Sequence, residues 1–464
     1  MRILDKIRGF LSMIWTQKAK EEFDIHVLSY EDTDRFLRRC ADAYRGKPYW
    51  VDESGGDIKT VNMAKTICSE LARLATMNIG ITVEGSARAK WLQEQMDDMR
   101  DSIRQWTEYG CGFGTVILKP NGVGVDVLTP MHFRITETKN DRILGAVFYD
   151  RQYDGERDQW FIRLEYHRFD GDKYKITNKC YVGESEDDFD HPIDIEKTPW
   201  AGLSEETTVT GTDRMLFGVF KMPNANNIDI DSPMGLPVFA DAMEELKDFD
   251  IAYSRNSIEI EDSKRTVVID SDRLLSGGRI GVGNKDRLIK EYGLPRFVKA
   301  VEGTGQGDIY HEINPTLQTG VRIQGIYALL SQIGFKCGFS NGYFVFNEKS
   351  GLVTATQVES SDRRTLQLVN DIREQLKHCL DDVIYALDKF ADAYDLSARG
   401  TYEVAYNFAD LTLNEDEDRM RWYSYVTSGL IPFSEYLIRS EGMTEDEANK
   451  ISIQQMPQPE PLFT

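Results

Sequence analysis

The stretch "GLVTATQVESSDRRTLQLVNDIREQLKHCLDDVIYALDKF", Gly351 to Phe390, carries a helix signal that does not stop. Neither glycine nor proline occurs from Leu352 to Arg399, and apolar residues recur every three or four positions from Leu366 to Tyr394. This spacing places the apolar side chains on one stripe of an α-helix. We therefore predict one long helix over 354–395, of about 40 residues and roughly 60 Å.

The start of this helix differs from its later turns. Thr356 followed by Glu359 fits a capping box, in which the hydroxyl and the carboxylate each satisfy a backbone N–H. The first turns, "QVESSDRR", are polar, so we expect an exposed start and packed later turns. A loop rich in glycine and aromatic residues, 339–353, precedes the helix.

The composition limits the class of protein. The chain has 464 residues, and its 55 Lys and Arg against 77 Asp and Glu give a formal net charge of −22. A chain of this length has room for roughly two to four domains. The acidity should repel nucleic acid and anionic membranes unless basic residues cluster locally, but solubility alone also explains it.

Cysteine and histidine spacing argues against a metal site or a disulfide framework. No CxxC pair and no HExxH motif occurs, which favours a reducing compartment and gives no zinc-binding pattern. The six scattered cysteines are Cys40, Cys68, Cys111, Cys180, Cys337 and Cys379.

The N-terminal segment "MRILDKIRGFLSMIW" is apolar but interrupted by charges, so it makes a poor signal peptide. Its apolar residues Leu4, Ile7, Leu11 and Ile14 recur at helical spacing and predict a docking helix rather than a membrane anchor. No run of 18 apolar residues occurs, so the sequence predicts no membrane span.

The first half of the chain predicts helices followed by strands. Helices are expected over 57–79 and 88–109, and a mostly antiparallel β region over 113–220. Pro120-Asn121-Gly122 between two β-rich runs signals a hairpin. We interpret the acidic segment "GESEDDFDHPIDIE" as a solvated excursion.

The second half predicts two helices around a small module. The helix over 235–262 is acidic, with eight acids against two basic residues, whereas that over 316–338 is nearly uncharged. Between them, 265–315 is glycine-rich with short β-prone pieces, which predicts a small α+β insertion. A strand at "TYEVAYNFAD" and helices broken at "SGLIPFS" complete the chain.

No motif predicts an enzyme. "YGCGFG" has helix, glycines and strand in the wrong order for a phosphate-binding loop and is expected to be a tight turn. Acid pairs such as Asp381-Asp382 and Glu259/Glu261 occur without GxSxG or another nucleophile motif. We predict no catalytic, cofactor-binding or metal residues, and no cofactor.

The loop "SNGYFVFNEKSGLVT" leaves three possibilities open. Its aromatic residues Tyr343, Phe344 and Phe346 could form a buried hydrophobic tip, stack on nucleic-acid bases, or belong to a loop that lines a passage. Only Lys349 offers attraction for phosphates, which disfavours base stacking.

The order of these parts resembles the portal (head–tail connector) proteins of tailed double-stranded DNA bacteriophages, including those of siphophages and Gram-positive prophages. The resemblance covers roughly 55–455, and the start of the long helix is its most specific part. Five stretches carry it: "VNMAKTICSELARLATMNIGITV", "YGCGFGTVILKP…VDVLTPMHFRIT…ILGAVFYD", "PMGLPVFADAMEELKDFDIAYSR", "GLVTATQVESSDRRTLQLVNDIREQL" and "YEVAYNFAD". The apolar N-terminus matches nothing in the family, and the loop before the long helix has more aromatic and glycine residues than a DNA-guiding loop needs.

The resemblance implies an α+β portal fold whose regions have names in that family. The wing would be 1–235 with the strand 396–413, and 354–395 would be its long helix. The other regions would be the stem helices 236–264 and 316–338, the clip 265–315, the tunnel loop 339–353 and the crown 414–464.

The resemblance also implies a function. Family members form a ring, usually of twelve subunits, at one capsid vertex, through which double-stranded DNA passes during packaging and ejection. Implied partners are the terminase large subunit, a head-completion or adaptor protein, and the major capsid and scaffold proteins, with assembly in the host cytoplasm and no membrane. The implied DNA-channel residues of the tunnel loop are Asn341, Tyr343, Phe344, Phe346 and Lys349. The clip residues implied in terminase or adaptor docking are Arg273, Arg279, Lys285 and Arg287.

We hypothesise that the acidic stem helix keeps a sliding duplex from binding to the channel wall. A wall that bound phosphates tightly would stall a sliding duplex, whereas Glu244, Glu245 and Asp248 would repel it if they line the channel. Two other readings remain: a different virion ring or scaffold component, and a cytoplasmic acidic enzyme, which would be a compact monomer.

Overall fold

The computed structural model describes residues 14–28, 31–55, 57–121, 124–140, 142–262, 266–270, 297–301, 310–313, 318–344, 355–408, 422–441, 443 and 448. The fold mixes helices and sheets, as the sequence predicts. The helices are α1 (14–23), α2 (Glu31–Tyr44), α3 (Tyr49–Glu53), α4 (Met63–Ala75), α5 (Ala87–Met99), α6 (Ile103–Phe113), α7 (Met243–Asp262), α8 (Thr319–Lys336), α9 (Ala355–Ala393), α10 (422–427) and α11 (Phe433–Glu441).

The predicted antiparallel β region is confirmed. A six-stranded sheet contains β4 (Phe133–Lys139), β5 (Arg142–Asp154), β6 (Gln159–Asp170), β7 (Lys173–Gly183) and β8 (His191–Ile193) in that order, with β9 (Glu206–Thr210) beside β7. A second sheet has the order β10 (Gly218–Lys221), β2 (Thr115–Pro120), β3 (Val125–Leu128). The hairpin predicted at Pro120 joins β2 to β3, which pair antiparallel.

The six-stranded sheet is covered on both faces. Because strand side chains alternate, Ala146 and Phe148 of β5 face one core and Val147 and Tyr149 face another. The first core includes residues of the second sheet and Ala386 of α9. The second core is closed by α1, whose Trp15 stacks on Tyr149 at 5.4 Å between ring centroids.

The N-terminal docking helix is confirmed where the structure describes it. Trp15 is 2% exposed and Ala19 is fully buried. Ile14 is half-buried, while Leu4, Ile7 and Leu11 lie outside the described residues.

The long helix α9 has 39 residues, in agreement with the prediction. Among its described side chains, Arg363 and Arg364 are exposed and the later turns are packed. Gly218 of β10 lies so close to α9 that a Cβ there would meet the Cys379 carbonyl oxygen at 2.3 Å. Helix α9 is described from Ala355 onward. The side chains of Thr356 and Glu359 lie outside the described ones, so the capping box remains a prediction.

The glycines of "YGCGFG" do not all make the predicted turn. Helix α6 continues through Gly110 and Gly112, and only Gly114, with φ of 77°, makes the turn. A Cβ on Gly110 would lie 1.9 Å from the Phe220 ring, so close packing rather than turning explains this glycine.

The acidic segment after β7 is not simply solvated. Phe189 is 6% exposed and packs against Tyr181, and His191–Ile193 forms strand β8. The apolar residues of the segment outweigh its charge because they reach the core beneath α1.

The predicted insertion contains a three-stranded sheet. Strand β11 (Thr266–Asp270) pairs parallel with β12 (Phe297–Val301) and antiparallel with β13 (Tyr310–Ile313). Strand β14 (Tyr402–Asn407) pairs with β1 (Gly80–Gly85).

The chain divides into two compact units, Met1–Tyr406 and Asn407–Thr464. In the second unit, α10 and α11 are separated by non-helical residues 428–432, which confirms the break predicted at "SGLIPFS". Within the described residues, no helix combines the length and apolarity needed to cross a membrane. The six cysteines are all buried and free.

Candidate functional site

The acidic helix α7 and the nearly uncharged helix α8 pack together as a pair. Lys336 Nζ lies 2.6 Å from Glu245 Oε1, and Gln332 Nε2 donates to the same oxygen at 3.1 Å. At the other end, Arg322 forms an ion pair with Glu259. The acids of α7 therefore serve partly to hold α8.

The three predicted stem acids occupy different environments. Glu244 and Asp248 are exposed and one helical turn apart. The side chain of Glu245 is 13% exposed and belongs to the ion pair with Lys336. Of these three acids, Glu244 and Asp248 are therefore the two that could face a channel or contact another subunit.

Asp250, one of the eight acids of this helix, is buried and links α7 to distant segments of the chain. It is 3% exposed and accepts hydrogen bonds from Trp50 Nε1 and from the Val61 backbone N–H, each at 2.9 Å. Burial raises the pKa of Asp250, while these donors oppose the shift. Sequence spacing gave no signal for it because its partners lie about 190 to 200 residues away.

Helix α8 is apolar and yet exposed. Val321 is 68% exposed, Ile323 39% and Tyr327 38%. From 320 to 328, only Ile326 is buried. A Cβ built on Gly325 meets nothing within 4 Å. Exposed large apolar residues also occur on α7, at Tyr253, Ile258 and Ile260.

The segment after α8 contains part of the predicted tunnel loop. Phe339, Tyr343 and Phe344 pack with ring centroids between 4.7 and 5.2 Å apart. Phe339 is fully buried, and Tyr343 is 38% exposed. The structure thus places Tyr343 and Phe344 in an aromatic cluster, which favours the packed alternative for these two residues.

An apolar groove runs beside this aromatic cluster. Its lining comes from four parts of the chain: the start of α4, α7, α8 and the segment after α8. The apolar lining residues are Val61, Met63, Phe249, Leu330, Tyr343 and Phe344.

Several predicted residues lie outside the described part of the chain. These are Phe346 and Lys349 of the tunnel loop, and Arg273, Arg279, Lys285 and Arg287 of the clip. Asn341 is described: it is exposed, and its Oδ1 accepts a hydrogen bond from Ser331 Oγ at 3.0 Å.

A cluster of charges that sequence reasoning missed lies inside the β region. Lys119 and Arg163 both pair with Glu165, and all three are nearly buried. Burial alone would raise the pKa of Glu165, but the two cations hold it well below its usual range. Arg163 and Glu165 alternate with apolar residues along β6, and Lys119 lies on β2 of the other sheet. Only the packing of the two sheets brings the three charges together.

His167 and Tyr174 extend this cluster. His167 lies 2.8 Å from Glu165 and 2.7 Å from the Tyr174 hydroxyl. Because the Glu165 carboxylate only accepts, Nε2 of His167 carries the proton and Nδ1 accepts from Tyr174. Burial lowers the pKa of His167, which keeps the ring neutral. The cluster joins packed sheets and offers no reactive group at the surface.

Comparison with known proteins adds little to this description. No family model matches the chain, and no curated protein matches it. One similar chain belongs to a solved structure described as "Neck of empty GTA particle computed with C6 symmetry", with 12% identity, 90% of this chain and 95% of that chain covered, and a TM-score of 0.43. At this TM-score the likeness supports no conclusion about function.

Proposed function

We propose that copies of this chain form a portal ring at a capsid vertex, a non-enzymatic conduit for double-stranded DNA during packaging and ejection. The order of elements supports the proposal. The paired helices α7 and α8 flank a segment with a three-stranded sheet, and the 39-residue helix α9 follows. In this proposal the pair is the stem, the flanked segment is the clip, and 339–353 is the tunnel loop.

The exposed apolar surface of α8 is the observation that carries the proposal. Large apolar residues exposed together on a helix indicate a surface that another molecule covers. Val321, Ile323 and Tyr327 lie within two turns of a helix that carries few charges. A second copy of the chain is the occupant that gives α8 and α7 an equivalent apolar partner.

The positions of these residues favour a ring over a simple dimer. At about 100° per residue, Val321 and Ala328 lie on one side of α8, and Ile323 and Tyr327 lie more than roughly 100° away. Both strips are exposed. A two-fold dimer covers one patch on each subunit, whereas a ring subunit has two different neighbours.

The first experiment tests assembly. Gly325→Leu adds a side chain whose Cβ meets nothing within 4 Å, so the isolated chain should fold normally. If neighbouring copies approach closely at this position, the variant should lose its oligomers. Gly325→Ala is the matched control, because it raises helix propensity similarly but adds only a methyl group.

Size-exclusion chromatography with light scattering and negative-stain microscopy give the readout. The wild type and Gly325→Ala should form rings of about a dozen subunits with a central hole, as the resemblance implies. A wild-type monomer at all concentrations would contradict the proposal and favour the acidic enzyme. An assembled form without a hole would favour another scaffold component.

The second experiment tests the conduit. Glu244→Lys with Asp248→Lys reverses charge at the two exposed stem acids and spares the Glu245–Lys336 pair. If these acids line the channel, attraction to phosphates should slow DNA packaging in particles while rings still form. Unchanged packaging would exclude a channel role for both residues, and failed ring assembly would place them between subunits.

Terminase and adaptor proteins complete the proposed assembly. The clip segment, which includes Arg273, Arg279, Lys285 and Arg287, would dock the terminase large subunit first and a head-completion protein later. Pull-down of terminase with the wild-type ring, compared with a variant carrying Glu at these four positions, tests this role.

A further inference from the structure

One face of the paired helices α7 and α8 continues the apolar groove. Phe249 of α7 and Leu330 of α8 line the groove. Tyr253 follows Phe249 by four residues and Ile323 precedes Leu330 by seven, so each lies on the same side of its helix as the groove residue. Both are exposed. An apolar row therefore extends from the groove along both helices, and we call the groove with this row the groove face.

The wall of the groove is held in place within the subunit. Tyr343, which packs on Phe339, donates through its hydroxyl to Glu70 Oε1 at 2.5 Å. Arg73 holds the Glu70 carboxylate through two bonds, of 2.9 Å and 2.6 Å. The groove is therefore formed before a partner binds, and a preformed surface loses less conformational freedom on binding.

The opposite face of the pair carries a second apolar row. Three exposed apolar residues of α8 recur every seven positions: Val321, Ala328 and Phe335. At about 100° per residue, they are turned roughly 140° to 180° from Leu330. This row therefore points away from the groove, and we call the surface that contains it the back face.

Two exposed acids lie on the back face beside this row. Glu244 and Asp248 are turned roughly 100° to 140° from Phe249, so they also point away from the groove. The ion pair between Glu245 and Lys336 brings this end of α7 level with the last turn of α8. The acids therefore lie at the same end of the pair as the groove.

The groove carries a positive charge that matches these acids. Lys65 lines the groove with a side chain that is 56% exposed, and its Nζ lies 3.4 Å from Glu108 Oε1. An ammonium group has three donors, so Lys65 can bind a second carboxylate. In a ring whose axis runs along the pair, rotation keeps each residue at its height. The acids of one copy and Lys65 of the next therefore match in sign and in height.

We propose that the groove face is the docking surface for the back face of a second copy, with Lys65 of one copy paired to Asp248 of the next. The inference rests on the proposed function and names the two unlike surfaces that a head-to-tail contact needs. Because the faces point in different directions, each copy binds a different neighbour through each face, which allows a ring to close. It assigns Glu244 and Asp248 to the contact between copies rather than to the channel wall.

The test reverses one charge on each face. Lys65→Glu and Asp248→Lys are prepared as separate full-length chains. Lys90→Glu is the matched control, because Lys90 is an exposed residue of α5 outside the groove lining and the change of net charge equals that of Lys65→Glu. Sedimentation over a concentration series measures association. We expect each single variant to weaken association about tenfold or more, and Lys90→Glu to associate like the wild type.

Mixing the two single variants distinguishes a contact between copies from an effect within one chain. When the two chains alternate in an assembly, every contact again pairs opposite charges. The equimolar mixture should therefore regain association to within about twofold of the wild type. A folding defect in either chain could not be rescued in this way.

The inference is overturned if Lys65→Glu or Asp248→Lys associates like Lys90→Glu, or if the mixture stays as weak as the single variants. Either result leaves the proposed function intact when the wild type forms rings. A wild-type chain that remains monomeric overturns both the proposed function and this contact.

Discussion

The six-stranded sheet and helix α8 are both rich in apolar residues, but the sheet buries many of them while the first half of α8 leaves most of them exposed. Val147 and Phe148 of β5 are fully buried, whereas Val321 of α8 is 68% exposed. One face of the sheet carries the core closed by α1, and the other face carries the core shared with the second sheet and α9. The apolar side chains of the sheet stabilise the fold of one chain, whereas we propose that those of α8 pack against a second copy.

The charges of the two regions differ in the same way. In the β region, the Lys119–Glu165 pair is closed off from solvent and satisfied within the chain. In α7, Glu244 and Asp248 face solvent beside the partly buried Glu245–Lys336 pair. Substitutions in the first region should therefore change the stability of the subunit, and those in the second should change assembly.

The largest effect on stability is expected where α9 joins the rest of its unit. Arg88 is fully buried and donates to Asp388 and Asp392 at 2.7 Å each. Arg88→Ala leaves both carboxylates without this partner, so the free energy of unfolding should fall by about 3–5 kcal/mol. Urea unfolding measures the loss.

The control for this prediction uses the same acceptor. Arg399 also pairs with Asp392, at 3.4 Å, but its side chain is 83% exposed. Arg399→Ala should change the free energy of unfolding by less than about 0.5 kcal/mol. Equal losses in the two variants would mean that burial does not set the cost.

In α8, Val321→Asp should leave the stability of the subunit within about 0.5 kcal/mol of wild type, because the side chain is exposed. The same change should weaken the association of subunits at least about tenfold, since it puts a charge into the apolar surface of α8 that the proposed ring covers. Sedimentation across a concentration series measures both association and the monomer fraction.

Ile230→Asp is the comparison for Val321→Asp, because Ile230 is 86% exposed but belongs to a loop and not to α8. We expect it to assemble like wild type. If the two variants weaken assembly equally, α8 has no special role in the contact between subunits.

The β region should also lose stability in acid. Burial, with the positive charge of Arg151, lowers the pKa of His132 from 6.5 to about 4. The unfolded chain binds this proton more readily, so the contribution is complete above pH 6.5 and is lost as the pH falls toward 4. His132→Gln should remove about 1–2 kcal/mol of the acid-dependent loss, measured by urea unfolding at several pH values.

The smallest predicted difference separates two adjacent acids of α7. Glu245→Gln weakens the ion pair with Lys336 and should cost about 0.5–1 kcal/mol, whereas Glu244→Gln should cost nearly nothing. Thermal unfolding of both variants beside wild type measures the difference. A larger loss for Glu244→Gln would reverse the assignment of the two side chains.

Sequence patterns predicted the elements better than the contacts between them. The absence of glycine and proline with a regular apolar stripe was enough for α9, because both features act within one helix. The helix-to-strand turn predicted at "YGCGFG" lies at Gly114, but Gly110 belongs to the helix and is required by the Phe220 ring about 110 residues later. Arg88, Glu165 and Asp250 were missed because a polar residue gives no local sign of a distant partner.

By itself, the sequence determined the long helix α9, that a β region is followed by two helices around a small module, and that the chain is strongly acidic. These properties depend on neighbours within a few positions and on composition. Only the tertiary structure decided that the first half of α8 keeps most of its apolar side chains exposed, that Glu245 is paired while Glu244 is exposed, and that Tyr343 bonds to Glu70. Burial and pairing depend on which distant segments meet, and local spacing does not encode that.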